Sequence, residues 1–206
     1  MLKTKPRIGP LDHGRRMSLK KFEPIAIEEG YIYELARGTI VVSDVPNYPH
    51  MMRVAAIRNH LVYYKQANPR SIFQVLGTME CKLLIWDLES ERHPDIAVYL
   101  VPPSVKKGRQ MWTRWVPELV IEVVSLGSVD RDYIEKREEY WALGVKEYWI
   151  VDARRQQILV LRRGRSQWIQ KELKRGDTLE TKLLPGFKLA CDEIFDAAGE
   201  QEDEID

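Results

Sequence analysis

Leu119-Val120-Ile121-Glu122-Val123-Val124 sets one carboxylate in the middle of an otherwise apolar run. Such a run reads as a strand buried on at least one face. An unpaired carboxylate in that setting costs several kcal/mol, so Glu122 calls for an ion pair, a shifted pKa or a metal. A second acid, Asp95, follows Pro94 and heads a second apolar strand, Ile96-Ala97-Val98-Tyr99-Leu100. If the two strands are neighbours, their acids can share one cation. Downstream, DRDYIEKREEYWALG reads as a helix from about Arg131 to Leu143 that Gly144 terminates, and Lys146 to Asp152 reads as the next strand. Everything else has to pack around this stretch, Asp95 to Asp152.

Upstream, Tyr31–Ala36 and Thr39–Val42 flank Arg37-Gly38 as a hairpin. The spacing of Val54, Ile57, Leu61 and Tyr64 predicts an amphipathic helix over 51–66, ended before Asn68-Pro69. Short strands are expected at 71–76 and 81–85. The segment between Leu100 and Pro117 reads as a loop that mixes Lys106, Lys107, Arg109 and Arg114 with Trp112 and Trp115. It offers cations and stacking surfaces to a nucleic acid, or equally a contact in a homodimer. Gln156–Leu161 and Gln167–Lys171 form a C-terminal hairpin crowded with Arg and Lys, which reads as a solvated edge that discourages aggregation, or as a surface that tracks nucleic-acid phosphates.

With 206 residues the chain can bury one core, and we expect a single α/β domain over 22–195. Residues 1–21, with seven Lys or Arg against one acid, read as a basic flexible leader, and 196–206 as an acidic flexible tail. The net charge of +1 argues neither for nor against nucleic acid. Two distant cysteines, Cys81 and Cys191, fit no metal or redox spacing and suit a reducing setting. No apolar run nears the ~20 residues of a membrane span, and no h-region follows the basic N-terminus, so the expected location is cytoplasmic.

The ordered set of pieces resembles the PD-(D/E)XK nuclease superfamily and, within it, the Uma-two family of restriction-endonuclease-like proteins. The matching residues are the Glu34-Leu35-x-x-Gly38 hairpin, His50 opening a helix, Pro94-Asp95, and Glu122-Val123-Val124-Ser125. They continue with Asp132, Lys136 and Tyr140, Gly144 to Trp149 leading to Asp152, and Leu184-Pro185-Gly186. The resemblance implies a restriction-endonuclease-like core, a central mixed β-sheet flanked by helices, and a metal-dependent endonuclease acting on DNA, with a homodimer as the expected assembly. It implies Asp95, Glu122 and the main-chain carbonyl of Val123 as ligands of Mg²⁺ or Mn²⁺, and Lys136 as the group that holds the attacking water. Glu34 is a further candidate acid, and His50 a candidate to position Glu34 or the substrate.

One departure bears on this. Two residues after the glutamate, on the same face of the strand, the superfamily places a lysine, and this chain has Val124. The resemblance moves the lysine to Lys136, which shares a helix face with Asp132 and Tyr140 at i, i+4, i+8. The departure also keeps open a catalytically inactive nucleic-acid or protein binding module on the same scaffold. Taken alone, Asp95 could simply begin a strand, and Lys136 could be an exposed partner of Asp132 worth ~0.3–0.5 kcal/mol. Tyr140, Trp141, Tyr148 and Trp149 read as core residues.

Overall fold

The apolar runs pair into two large sheets and two small two-stranded ones, and charged stretches between them fold as helices and turns. The computed structural model describes residues 6–105 and 108–199. In chain order the first elements are β1 (Arg7–Ile8), α1 (Leu19–Phe22), β2 (Ala26–Ile27), β3 (Tyr31–Ala36), β4 (Thr39–Asp44) and α2 (Tyr48–Ala67). Next come β5 (Gln74–Gly77), β6 (Leu83–Ile85), β7 (Ser90–Arg92), β8 (Ile96–Tyr99), α3 (Gly108–Arg114) and β9 (Leu119–Val123). The chain continues through α4 (Lys136–Leu143), β10 (Glu147–Asp152), β11 (Gln157–Arg163) and β12 (Trp168–Lys174) to β13 (Thr178–Leu179), β14 (Leu189–Ala190) and α5 (Cys191–Phe195).

The larger sheet runs β12-β11-β10-β9-β8-β5. It is mixed, because β9 and β10 are parallel, joined through α4, whereas the other pairs are antiparallel. The smaller sheet, β4-β3-β7-β6, is antiparallel.

Alternation along β9 explains how an acid sits in a fully buried strand. Leu119, Ile121 and Val123 point to the core under α2 and α5, with Ile57, Leu61, Ile194 and Phe195. Val120 points to the opposite face, against Tyr140, Tyr148 and Ile150 under α4, and Val124 packs on that same cluster. Glu122 falls between Val120 and Val124 in this alternation, so its carboxylate faces α4. The expected α/β architecture, a central mixed sheet with helices on its faces, is the one observed.

Several expectations need correction. Residues 6–21 are not a flexible leader: Ile8, Leu19 and Phe22 are buried with Leu35 and Ile40 in the core of the smaller sheet. The apolar anchors are few and widely spaced among cations, so the sequence pattern concealed them. Helix α2 begins at Tyr48, three residues before the expected start, because Asn47 caps it by accepting the His50 N–H at 3.1 Å. The 71–76 and 81–85 strands go to different sheets. The stretch read as a loop contains α3. Trp115 is no exposed stacking surface: it is buried, with its ring on Tyr99 at 3.8 Å and its N–H donated to the Val101 carbonyl at 2.9 Å. Arg114 is exposed at the end of α3, whereas Lys106 and Lys107 lie outside the described residues. Of the tail, Asp196 is tied to Arg175 at 2.6 Å, and 200–206 lie outside the described residues.

Candidate functional site

Asp95 and Glu122 meet at the ends of β8 and β9. The last ladder pair is Ile96↔Ile121, and the next residues out are these two acids. The Asp95 N–H reaches Glu122 Oε2 at 3.4 Å, and Asp95 Oδ2 accepts the Val123 N–H at 2.8 Å. Asp95 thus completes the strand pairing with its side chain. Its other oxygen, Oδ1, lies 3.1 Å from His50 Nε2, delivered by the first turn of α2. The sequence suggested Glu34 or a substrate as the partner of His50, and the His50 ring stands against Asp95. The other ring nitrogen, His50 Nδ1, is buried with no partner among the described residues.

Lys136 reaches the same pocket from the opposite element. Its ammonium lies 3.0 Å from Glu122 Oε1 and 3.1 Å from Asp132 Oδ1. The way α4 begins explains this. The Lys136 N–H bonds to the Arg131 carbonyl, an i→i−5 step, so Arg131–Glu135 forms one π turn ahead of the regular helix. That slip frees the Asp132 carbonyl, and the Tyr148 hydroxyl donates to it at 3.0 Å. Ser128 donates its hydroxyl to Asp132 Oδ2 at 2.5 Å and accepts the Ser125 N–H at 2.9 Å, which anchors the turn after β9 to the helix. At the other end of the face Tyr140 donates to Glu122 Oε1 at 2.5 Å. Asp132, Lys136 and Tyr140 act as one face, as their spacing implied.

Charge in this pocket is unbalanced. Burial raises the pKa of Glu122 to about 8; Lys136 opposes the shift, while Asp95, Asp132 and Glu34 add to it. Asp132 is raised for the same first reason. Burial would strip the proton from Lys136, but Asp132, Glu122 and Glu34 outweigh it and hold the ammonium charged. Glu122 and Asp132 thus share one ammonium, with Asp95 beside them.

Glu34 does not join this pocket as a free acid. It accepts from Arg92 Nη1 at 3.1 Å and from the His93 N–H at 2.9 Å. Arg92 is fully buried and bonds Glu139 as well, through Nε at 2.6 Å, with Glu135 at 3.1 Å. Arg92, Glu135 and Glu139 escaped the sequence reading, which had singled out Glu34 alone of this group. The available signal was Glu135 and Glu139 at i, i+4, a second acidic pair on the helix that needed a cation.

Two carboxylates at the ends of adjacent strands of a mixed sheet are faced by a helix that supplies a lysine, in a restriction-endonuclease-like fold. The comparisons agree on the fold and give the family. The Uma2 family model, described as "Putative restriction endonuclease", matches residues 19–192, and the chain belongs to that family. Among solved structures the chain is similar to "a putative nuclease belonging to DUF820" from Anabaena variabilis ATCC 29413, with a TM-score of 0.70 and 14% identity, over 88% of this chain and 99% of that one. At that identity the likeness speaks for the fold. No curated protein matches the chain.

The donor set suits a hard divalent cation. Asp95 and Glu122 offer carboxylate oxygens with lone pairs to spare, since among the described residues Glu122 Oε2 holds only the long contact to Asp95, and the charges of Asp95 and Asp132 stand beside that of Glu122. Among the described residues no three His, Cys, Asp or Glu side chains stand grouped as ligands. Mg²⁺ tolerates this, because it commonly takes one or two carboxylates and fills its remaining positions with water and phosphate oxygens.

Proposed function

We propose that the protein is a divalent-metal-dependent endonuclease that hydrolyses DNA phosphodiester bonds at the pocket of Asp95, Glu122 and Lys136. The observation that carries this reading is the convergence of the three groups, with the Lys136 ammonium 3.0 Å from Glu122 and the Asp95 backbone on the other oxygen of that carboxylate. Asp95, Glu122 and the Val123 carbonyl would hold Mg²⁺ or Mn²⁺, which when bound supplies a Lewis acid for the phosphoryl oxygen and lowers the pKa of water. Asp95 is kept in place by the Val123 N–H and His50, and Glu122 by Tyr140. Lys136 has three donors and two acidic partners, which leaves one N–H to hold the attacking water and to offset charge as it develops. Glu34 acts through Arg92 and Lys136, as a positioning group. The buried free thiols of Cys81 and Cys191 support a reducing, cytoplasmic setting. A homodimer belongs to the same reading, and gel filtration measures it.

The test is cleavage of supercoiled plasmid with Mg²⁺ or Mn²⁺. Wild type is expected to nick or linearise the plasmid, and Asp95→Ala and Glu122→Gln to lose that activity with an unchanged circular dichroism spectrum. Undiminished cutting by either variant overturns the assignment. A catalytically inactive binding module is the second reading, favoured by the apolar Val124 packed where the superfamily has its lysine. It requires wild type to leave DNA intact with either metal and Asp95→Ala to bind as wild type does.

A further inference from the structure

The N-terminal segment gathers cations outside the metal pocket. Three backbone hydrogen bonds lay it along the β3–β4 hairpin: Gly14 N–H to Ile40 O at 2.8 Å, Ile40 N–H to Arg15 O at 2.9 Å and Met17 N–H to Gly38 O at 2.8 Å. Gly38 permits this approach, since its φ is +77° and a Cβ there would stand 3.4 Å from the Met17 carbonyl. With Ile8, Leu19 and Phe22 buried beneath, the segment walls a cleft of about 1240 Å³. Among the described residues, the ionisable ones lining it are Arg15, Arg16, Lys21 and Arg37 against the single acid Glu89, and Glu89 is committed to the Leu19 N–H at 2.5 Å.

Size and lining narrow the ligand. The cleft exceeds the roughly 300–1,000 Å³ usual for small-molecule pockets, so a polymer fits it better than a metabolite. Its floor is Met17, Pro24 and Ile25, and among the described residues no aromatic ring lines it, so bases have nothing there to stack on. What remains is contact with phosphates. The cleft also adjoins the helix of the metal pocket. Arg37 pairs with Glu138 of α4, and the Arg37 N–H donates to Ser90, whose hydroxyl donates to Glu139 at 2.9 Å. The same helix carries Lys136. Arg15 is partly neutralised by Asp12 at 2.9 Å, and Arg16 bonds the Arg37 carbonyl and Thr39 Oγ1, which leaves Lys21 with Arg16 as the most available pair.

We propose that this cleft is a second nucleic-acid contact, where Arg15, Arg16 and Lys21 grip backbone phosphates of DNA without reading its sequence, beside the helix that bears Lys136. The proposal rests on the nuclease reading for the identity of the polymer. The test is fluorescence anisotropy of a labelled DNA duplex in EDTA, over a series of salt concentrations, with wild type, the triple variant Arg15→Ala/Arg16→Gln/Lys21→Ala and the single variant Lys21→Glu. Each phosphate contact contributes about −0.9 to the slope of log affinity against log salt. The triple variant should flatten the slope by about two to three and the single variant by about one, equally on unrelated sequences. The single variant, at an exposed position, decides the matter if the triple one fails to fold. Unchanged slopes, or a wild type that binds no DNA, overturn the proposal. Plasmid cleavage separates the two readings. Flattened slopes with a wild type that does not cut uphold the cleft and reject the nuclease, and unchanged slopes with a wild type that cuts do the reverse.

Discussion

Lys136 has two roles that can be pulled apart. Its ammonium is buried among Glu122, Asp132 and Glu34, so removing it leaves acids without a counter-ion. Breaking a buried pair from one side costs on the order of 3–5 kcal/mol. Lys136→Met, of similar length, should therefore lower stability by about that much and abolish cleavage. Adding Asp132→Asn removes one of the stranded charges, so the double variant should regain part of the loss in urea unfolding while staying inactive. If restoring stability also restored cutting, Lys136 would be a structural residue and the chemistry would lie elsewhere.

Helix α4 places that lysine, and both its ends matter. It closes in a Schellman motif, with the Gly144 N–H on the Trp141 carbonyl and the Val145 N–H on the Tyr140 carbonyl, each at 3.1 Å. Gly144 has φ +100° and open space around it, so Gly144→Ala is expected to cost about 1 kcal/mol from the backbone alone, seen as a lower melting temperature with cleavage retained at 25 °C. This end was legible in the sequence, because a glycine after a periodic run is a local signal. So was the strand that holds Glu122, whose apolar flanks are local too, and the shared face of Asp132, Lys136 and Tyr140. The π turn was not, since it depends on Ser128 and Tyr148 taking groups that a regular turn would have used. Arg92 stayed hidden for a related reason: its acids come from three elements, Glu34 on β3, Glu135 in the π turn and Glu139 on α4. The leader and α3 were missed because a few buried anchors among many charges leave no periodic pattern.

At the scale of the molecule, Arg92 is the joint between the smaller sheet and the helix over the larger one, and Glu34 is the part of that joint that responds to pH. Burial alone would raise the Glu34 pKa, but Lys136, Arg92 and the His93 N–H bring it down to about 2 from an ordinary value of 4.5. A carboxylate held below its unfolded value stabilises the fold above that value, and the stabilisation is lost as pH falls through the unfolded and then the folded pKa. From this shift the contribution is about 3 kcal/mol at neutral pH, of which about 2 kcal/mol is gone by pH 3. Glu122 and Asp132 work in the opposite sense: raised in the fold, they favour it most at low pH. The total acid response of the protein therefore mixes both signs, and the useful measurement is a difference. Urea unfolding of wild type and Glu34→Gln at pH 7 and pH 3 should give a gap that is wide at pH 7 and narrower by about 2 kcal/mol at pH 3. A gap that stayed constant would mean that Glu34 titrates normally in the folded protein and that Arg92 is held by Glu139 and Glu135 without it.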